Sequence, residues 1–240
     1  MLTVPGVIAA LEAMHGHREW HWWPEKPPFE VCVGAILVQN TAWTNVERAL
    51  ERLRDARVLD PARMAALSDA DLESLIRPSG QYRQKARKLR AFLATCAGAG
   101  GLDRLLALPA AELRLRLLQT WGIGPETADC IVCYAARQPA LVVDAYTARL
   151  FRRLGMGPAA EGYGAWQEWL VSALPAVTDQ GSAERYARVH ALIVLHAKHL
   201  CRKRDPRCGA CLLRRACTVP NTERPPGVTG GRAMQTGVSG

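Results

Sequence analysis

Cys201, Cys208, Cys211 and Cys217 fall within seventeen residues, spaced C-x6-C-x2-C-x5-C. No other feature constrains the fold so tightly, because one compact centre that takes all four side chains must pin this whole segment to a point. Disulfides are the first reading to weigh. The sequence shows no signal-peptide pattern and no apolar run long enough to span a bilayer, so a cytoplasmic setting is expected, nucleoid-associated if the source is bacterial. In a reducing compartment a dense cysteine cluster more often binds metal. Zinc sites usually pair two short knuckles across a longer segment. Only Cys208 and Cys211 form such a knuckle here. A 4Fe-4S cluster also takes four thiolates, and the compressed spacing favours it over zinc. Cys130 and Cys133 form a C-x-x-C inside an apolar stretch and read as small core residues, as do Cys32 and Cys96.

The net charge of +9 points to a polyanionic partner, most simply nucleic acid. The charge is also concentrated. Arg202, Lys203, Arg204 and Arg207 lie between the first two clustered cysteines, and Arg83, Lys85, Arg87, Lys88 and Arg90 crowd another short stretch. Such grouping favours phosphate contacts over an evenly solvated surface.

Alternating β-branched runs are nearly absent, and helical periodicity recurs at about 5–14, 30–38, 43–57, 69–76, 83–97, 110–119, 125–136, 143–154, 163–173 and 182–199. The expectation is an all-α protein of about ten helices, with Pro61, Gly80, Gly122, Gly124 and Gly157 as breakers. Residues 218–240 are rich in Pro, Gly, Thr and Ser and are expected to be a disordered tail.

Residues 112–136 read as a helical hairpin. One helix ends near Gln119, Trp121-Gly122-Ile123-Gly124 makes the turn, and Pro125 opens the next helix, where its missing N–H has no partner to lose. The glycines permit positive φ and leave backbone N–H groups uncovered, which suits a phosphate. A short distance on, Leu141-Val142-Val143-Asp144 ends in a carboxylate just before a helix start. Asp144 is placed to cap that helix. It could equally stabilise a cationic sugar and deprotonate an attacking water.

The pattern Gly122-Ile123-Gly124-Pro125-Glu126-Thr127-Ala128, the loop ending in Asp144 and the cysteine spacing together resemble the endonuclease III superfamily of helix-hairpin-helix DNA glycosylases. The resemblance covers roughly residues 25–217. It implies two helical domains flanking a DNA-binding cleft. A six-helix barrel with the hairpin would occupy 29–136, and a catalytic-Asp and iron–sulfur domain would be built from 1–28 and 137–217. It also implies a base-excision enzyme that acts as a monomer on damaged double-stranded DNA, with no membrane partner. Asp144 would be catalytic and the four cysteines would hold the cluster. Gln39, Gln81, Gly122, Ile123, Gly124 and Thr127, with Arg202, Lys203, Arg204 and Arg207, would contact DNA. Gln39 would fill the gap left by an extruded base, and Gln81 would lie in a wedge loop.

The chain departs from the bifunctional members at one position. They carry a lysine directly before Thr-Ala, whereas this chain has Glu126. A carboxylate forms no imine. Trp22-Trp23-Pro24 and the Trp43 that follows Gln39-Asn40-Thr41-Ala42 resemble the 3-methyladenine glycosylase branch. In that branch aromatic rings stack on an alkylated base, and an electron-rich indole suits a cationic purine. The expectation is therefore a monofunctional glycosylase acting on alkylated purines, with Glu126 assisting Asp144. The alternatives are a bifunctional endonuclease III with a displaced lysine, or a non-catalytic DNA-binding module.

Overall fold

The computed structural model describes residues 2–18, 26–175 and 179–219. Trp22, Trp23 and Pro24, and the tail from 220 onward, lie outside the described residues. No strand occurs among those described. Twelve helices follow in order: α1 (Val4–His15), α2 (Pro28–Leu37), α3 (Trp43–Asp55), α4 (Pro61–Ala66), α5 (Asp69–Ile76), α6 (Tyr82–Gly98), α7 (Leu102–Leu106), α8 (Ala110–Leu118), α9 (Pro125–Cys130), α10 (Ala145–Arg153), α11 (Tyr163–Ala173) and α12 (Asp179–His199). The all-α expectation holds.

Two short helices, α4 and α7, exceed the ten that periodicity predicts. Pro61 does not break a helix but opens α4. Asp60 accepts a hydrogen bond from Arg63 N at 2.9 Å as the cap, and Pro61 occupies the first turn. The stretch expected as one helix over 125–136 is α9 followed by a π-helical turn at Ile131–Ala135.

The apolar side chains form two clusters. The first is built from α2 to α9 and the π turn, with Ile36, Leu53, Leu89, Phe92, Leu117 and Ile131 at its centre. Helix α2 runs through it and is buried on every face from Phe29 to Leu37. Its one charged residue there, Glu30, is paired with Arg54 at 2.7 Å. The second cluster joins the chain's beginning to its end: Val7 and Leu11 of α1 meet Phe151 of α10, Leu170 of α11, and Leu192 and Ile193 of α12.

Residues 140–143 stitch the clusters together. Ala140 and Val142 belong to the first, while Leu141 and Val143 belong to the second. Extended backbone turns successive side chains to opposite sides, so this segment runs along the seam and delivers Asp144 at its end. Lys85 braces the first cluster from inside. Its ammonium is fully buried and donates to Leu37 O at 2.8 Å and Ser79 O at 2.6 Å, and burial lowers its pKa to about 8.

Candidate active site

A cleft of about 740 Å³ opens at the seam, lined by Gln39, Trp43, Glu126, Asp144, His190 and Lys198 among others. Asp144 caps α10 with a capping box. Its Oδ1 accepts from Thr147 N at 2.8 Å and from Thr147 Oγ1 at 3.0 Å. Its Oδ2 lies 3.6 Å from His190 Nε2. Burial alone would raise its pKa, but His190 and the two Thr147 bonds outweigh that and lower it. The helix start fixes one oxygen, Oδ1, and leaves Oδ2 outside the cap.

Glu126 sits in the first turn of α9 and lines the same cleft. It is open to water there yet ringed by protein. That crowding and the charge of Asp144 raise its pKa, against an opposing pull from His190. Lys198 of α12 also lines the cleft, and its pKa is lowered by burial against the attraction of Glu47 and Asp144.

The hairpin turn is tied down from behind. Gly122 has φ +83°, and a Cβ there would stand 2.4 Å from Lys88 Cγ, so a side chain is excluded on two grounds. Lys88 passes across the glycine to donate to Gln39 Oε1. The Gln39 amide donates in turn to Gly122 O at 3.2 Å and Thr127 Oγ1 at 2.9 Å. Gln39 thus braces the hairpin against the end of α2. Ile123 is buried in the first cluster, while Gly124 is exposed at the tip. Gln81, exposed just ahead of α6, holds a left-handed conformation at φ +47° directly after Gly80 at φ +68°. Trp43 lines the cleft, and its indole N–H donates to Glu47 Oε1 at 2.8 Å.

Two groups of functional interest escape sequence reasoning. Asp129 is fully buried and accepts from Arg114 Nε at 2.6 Å, Tyr163 Oη at 2.7 Å and Gln167 Nε2 at 2.8 Å. Gln167 also donates to Leu141 O at 2.7 Å, so the network locks α9 to the segment that carries Asp144. Behind Asp144, Tyr134 Oη lies 2.6 Å from His190 Nδ1. Asp129 and Tyr134 are far in sequence from the partners they meet, Tyr163 and Gln167 for the first and His190 for the second, and no local pattern links them. The one available signal was a charged residue, Asp129, within the apolar run 128–136.

The four clustered cysteines are half-buried, and all line a single cavity of about 350 Å³ with Leu150, Leu154 and His196. Among the described residues no group of three or more His, Cys, Asp or Glu is arranged to hold a single metal ion. Four cysteine side chains around one cavity are the donor type that a thiolate-ligated centre takes. Arg153 donates to Cys201 Sγ at 3.3 Å and to Arg202 O at 2.9 Å. Of the basic loop, Lys203, Arg204 and Arg207 are exposed, whereas the Arg202 guanidinium is bound to Asp205 O at 3.0 Å.

Residues 33–174 match the family described as HhH-GPD superfamily base excision DNA repair protein. The chain belongs to the HhH-GPD superfamily. That match spans the hairpin, the seam and Asp144. A protein of Methanocaldococcus jannaschii, provisionally named a DNA repair glycosylase, is 38% identical over 206 residues, covering 85% of this chain and 90% of its own length. Endonuclease III of Escherichia coli K12 is 26% identical over 196 residues, covering 79% and 83%. Among solved structures, the H. pylori 3-methyladenine DNA glycosylase bound to 1,N6-ethenoadenine aligns with a TM-score of 0.70 at 28% identity, covering 82% of this chain and 98% of that one. A non-covalent endonuclease III–DNA complex aligns at 0.76 and 23% identity, covering 91% and 96%, which shows a shared fold. Among HhH-GPD proteins this chain is a base excision repair DNA glycosylase. No helix among the described residues is long and apolar enough to cross a membrane.

Proposed function

We propose that this glycosylase is monofunctional and hydrolyses alkylated purines such as 3-methyladenine from double-stranded DNA, acting as a monomer. The observation that carries this reading is the pairing of Glu126 with Asp144 in the cleft, where a hairpin-helix amine would otherwise stand. The lowered pKa of Asp144 keeps it a carboxylate at neutral pH. A carboxylate stabilises the cationic sugar as the C1′–N bond breaks, then takes a proton from the water whose oxygen joins C1′. An alkylated purine leaves as a neutral base, so little acid catalysis is needed. The strand stays intact at an abasic site. Glu126 would assist by orienting the water.

Trp43 on the cleft wall offers an indole face to a cationic base. Trp22, Trp23 and Pro24 are proposed to complete that wall. The 28% identity to a 3-methyladenine glycosylase bound to an alkylated adenine supports the substrate class. DNA would be held by Gln81, the Gly122–Gly124 turn with Thr127, and the exposed Lys203, Arg204 and Arg207, with Gln39 bracing the turn. Cys201, Cys208, Cys211 and Cys217 would hold a 4Fe-4S cluster. When bound, it would act as a structural crosslink for the basic loop, and no step of base release passes through it.

A second reading, an amine-driven glycosylase with lyase activity, is favoured by one observation: Lys198 lines the same cleft with a lowered pKa. Borohydride trapping on damaged duplex separates the two. Hydrolysis gives base release with no trapped adduct. A trapped adduct that disappears in Lys198→Met would establish the second.

A further inference from the structure

Tyr134 and His190 form a chain that ends on Asp144, and base release as outlined uses neither of them. Tyr134, on the π turn, is 6% exposed, and His190, on α12, is 4% exposed. Tyr134 Oη lies 2.6 Å from His190 Nδ1 and 3.3 Å from Ala187 O, and His190 Nε2 lies 3.6 Å from Asp144 Oδ2. A phenol has one proton to donate and lone pairs to accept. Turned toward Nδ1, the Tyr134 hydroxyl donates to a neutral imidazole, whose proton then sits on Nε2. Turned toward the Ala187 carbonyl, it accepts the Nδ1–H of an imidazolium. In the first arrangement, and in the imidazolium form of the second, an Nε2–H faces Asp144. Burial holds the phenol itself protonated, with its pKa well above the ordinary range. The π turn bears on this geometry, because such turns change the register of a helix and are frequent at functional sites. Here the turn carries Tyr134 against α12.

We propose that His190, oriented by Tyr134, is a positioning residue for Asp144: its Nε2 faces Oδ2 from 3.6 Å while Thr147 holds Oδ1, so the carboxylate keeps one orientation and its charge. The inference rests on Asp144 being the catalytic carboxylate of the proposed hydrolysis. The other charged or titratable groups that bear on this pair are Glu126 from α9, Cys130 at the end of α9 and Lys198 from α12. Glu126 and Asp144 repel one another, and Lys198 attracts Asp144. Neither Glu126 nor Lys198 holds Oδ2 in one direction as a ring N–H does. A carboxylate this enclosed would otherwise rise toward its neutral form, and His190 and Thr147 are what oppose that rise.

The test uses the full chain with its metal centre intact and two readouts. The first is a carboxyl-carbon NMR titration of Asp144 without DNA, assigned by Asp144→Asn. His190→Leu is expected to move the midpoint up by about one pH unit or more. His190→Gln, whose amide N–H can still donate, should recover most of that shift, and Tyr134→Phe should give a smaller rise. The second is single-turnover base release from methylated duplex against pH, where the acid limb should move with the titration. An unmoved midpoint in folded His190→Leu overturns the proposal. So does equal activity loss in the Leu and Gln variants with no shift, which would assign His190 to packing. Should His190→Leu not fold, Tyr134→Phe decides: an unmoved midpoint there overturns the proposal too. Wild-type protein that releases no base would sink the glycosylase mechanism, while the titration would still decide the role of His190.

Discussion

The hairpin and the cysteine loop carry the chain's two most legible patterns, yet they are held in opposite ways. The hairpin is fastened by side-chain hydrogen bonds from the helices packed against it. Gln39 and Lys88 lock the turn from behind, and Asp129 with Arg114, Tyr163 and Gln167 locks α9 to the seam. Between Cys201 and Cys217 there are only two three-residue 3-10 turns, and Leu213 is the sole buried residue. A segment with so little apolar burial cannot offset the entropy of ordering its backbone, roughly 1–2 kcal/mol per residue. The hairpin therefore keeps its shape through protein bonds alone, whereas the loop would depend on the metal centre proposed for the cavity its cysteines line. One region does chemistry on a scaffold complete in itself. The other presents basic residues on a scaffold that a metal centre would complete.

The largest effect should come from the self-supporting side. Asp144→Asn keeps a helix cap but removes the charge. Base release is expected to fall about 100-fold or more, with duplex binding retained, as measured by single-turnover kinetics and a binding titration. Near-normal activity would detach Asp144 from the chemistry.

Breaking the loop should leave the hairpin untouched. Cys208→Ala is expected to lose iron and sulfide on analysis and to expose amides of residues 201–217 to fast hydrogen exchange, while amides of 112–136 keep their protection. Loss of protection in both regions would erase the contrast. Stoichiometric zinc in the wild-type protein, without iron or sulfide, would change the centre but not the dependence.

Asp129→Ala attacks the hairpin's own fastening. Removing one partner of a buried pair typically costs about 3–5 kcal/mol. The Arg114 side chain is 34% exposed and can rehydrate, so a loss of about 2–3 kcal/mol is expected by denaturant unfolding. An unchanged midpoint would mean the network contributes little.

Smaller effects separate recognition from fastening. Trp43→Ala should weaken discrimination in favour of an alkylated purine by about 1–3 kcal/mol, read from competing substrates. Reversing Lys203 and Arg204 to Glu should weaken binding to damaged and undamaged duplex alike, and should flatten the salt slope by about one unit per lost contact. A constant slope would take the loop out of the interface.

The legible parts of this molecule are those whose reason is local. The glycines of the hairpin, the cysteine spacing and the carboxylate after Val143 each sit in a short window. The alternation of 140–143 between two cores was also in plain sight as Ala-Leu-Val-Val, but it reads as a strand until the two clusters exist to receive it. Helix α4 escaped because Pro61 signals a stop or a start, and only Asp60 ahead of it tells which. The His190–Tyr134–Asp144 chain and the Asp129 network were out of reach for a different reason. Their partners are brought together by packing of α9, the π turn, α11 and α12, and no spacing rule connects them. Gln39 is an intermediate case: the resemblance assigns it to the gap left by an extruded base, while its bonds to Gly122 and Thr127 follow from no local pattern.

The central claim is that this cleft removes an alkylated base by hydrolysis and leaves the strand whole. It is tested most directly by incubating a duplex containing one 3-methyladenine, or a stable analogue, with excess protein and resolving the products before and after alkali. The account predicts free base, an intact strand before alkali, a break only after it, and no borohydride adduct. A strand break without alkali, together with a trapped adduct, would contradict it and transfer the chemistry from Asp144 acting on water to an amine such as Lys198.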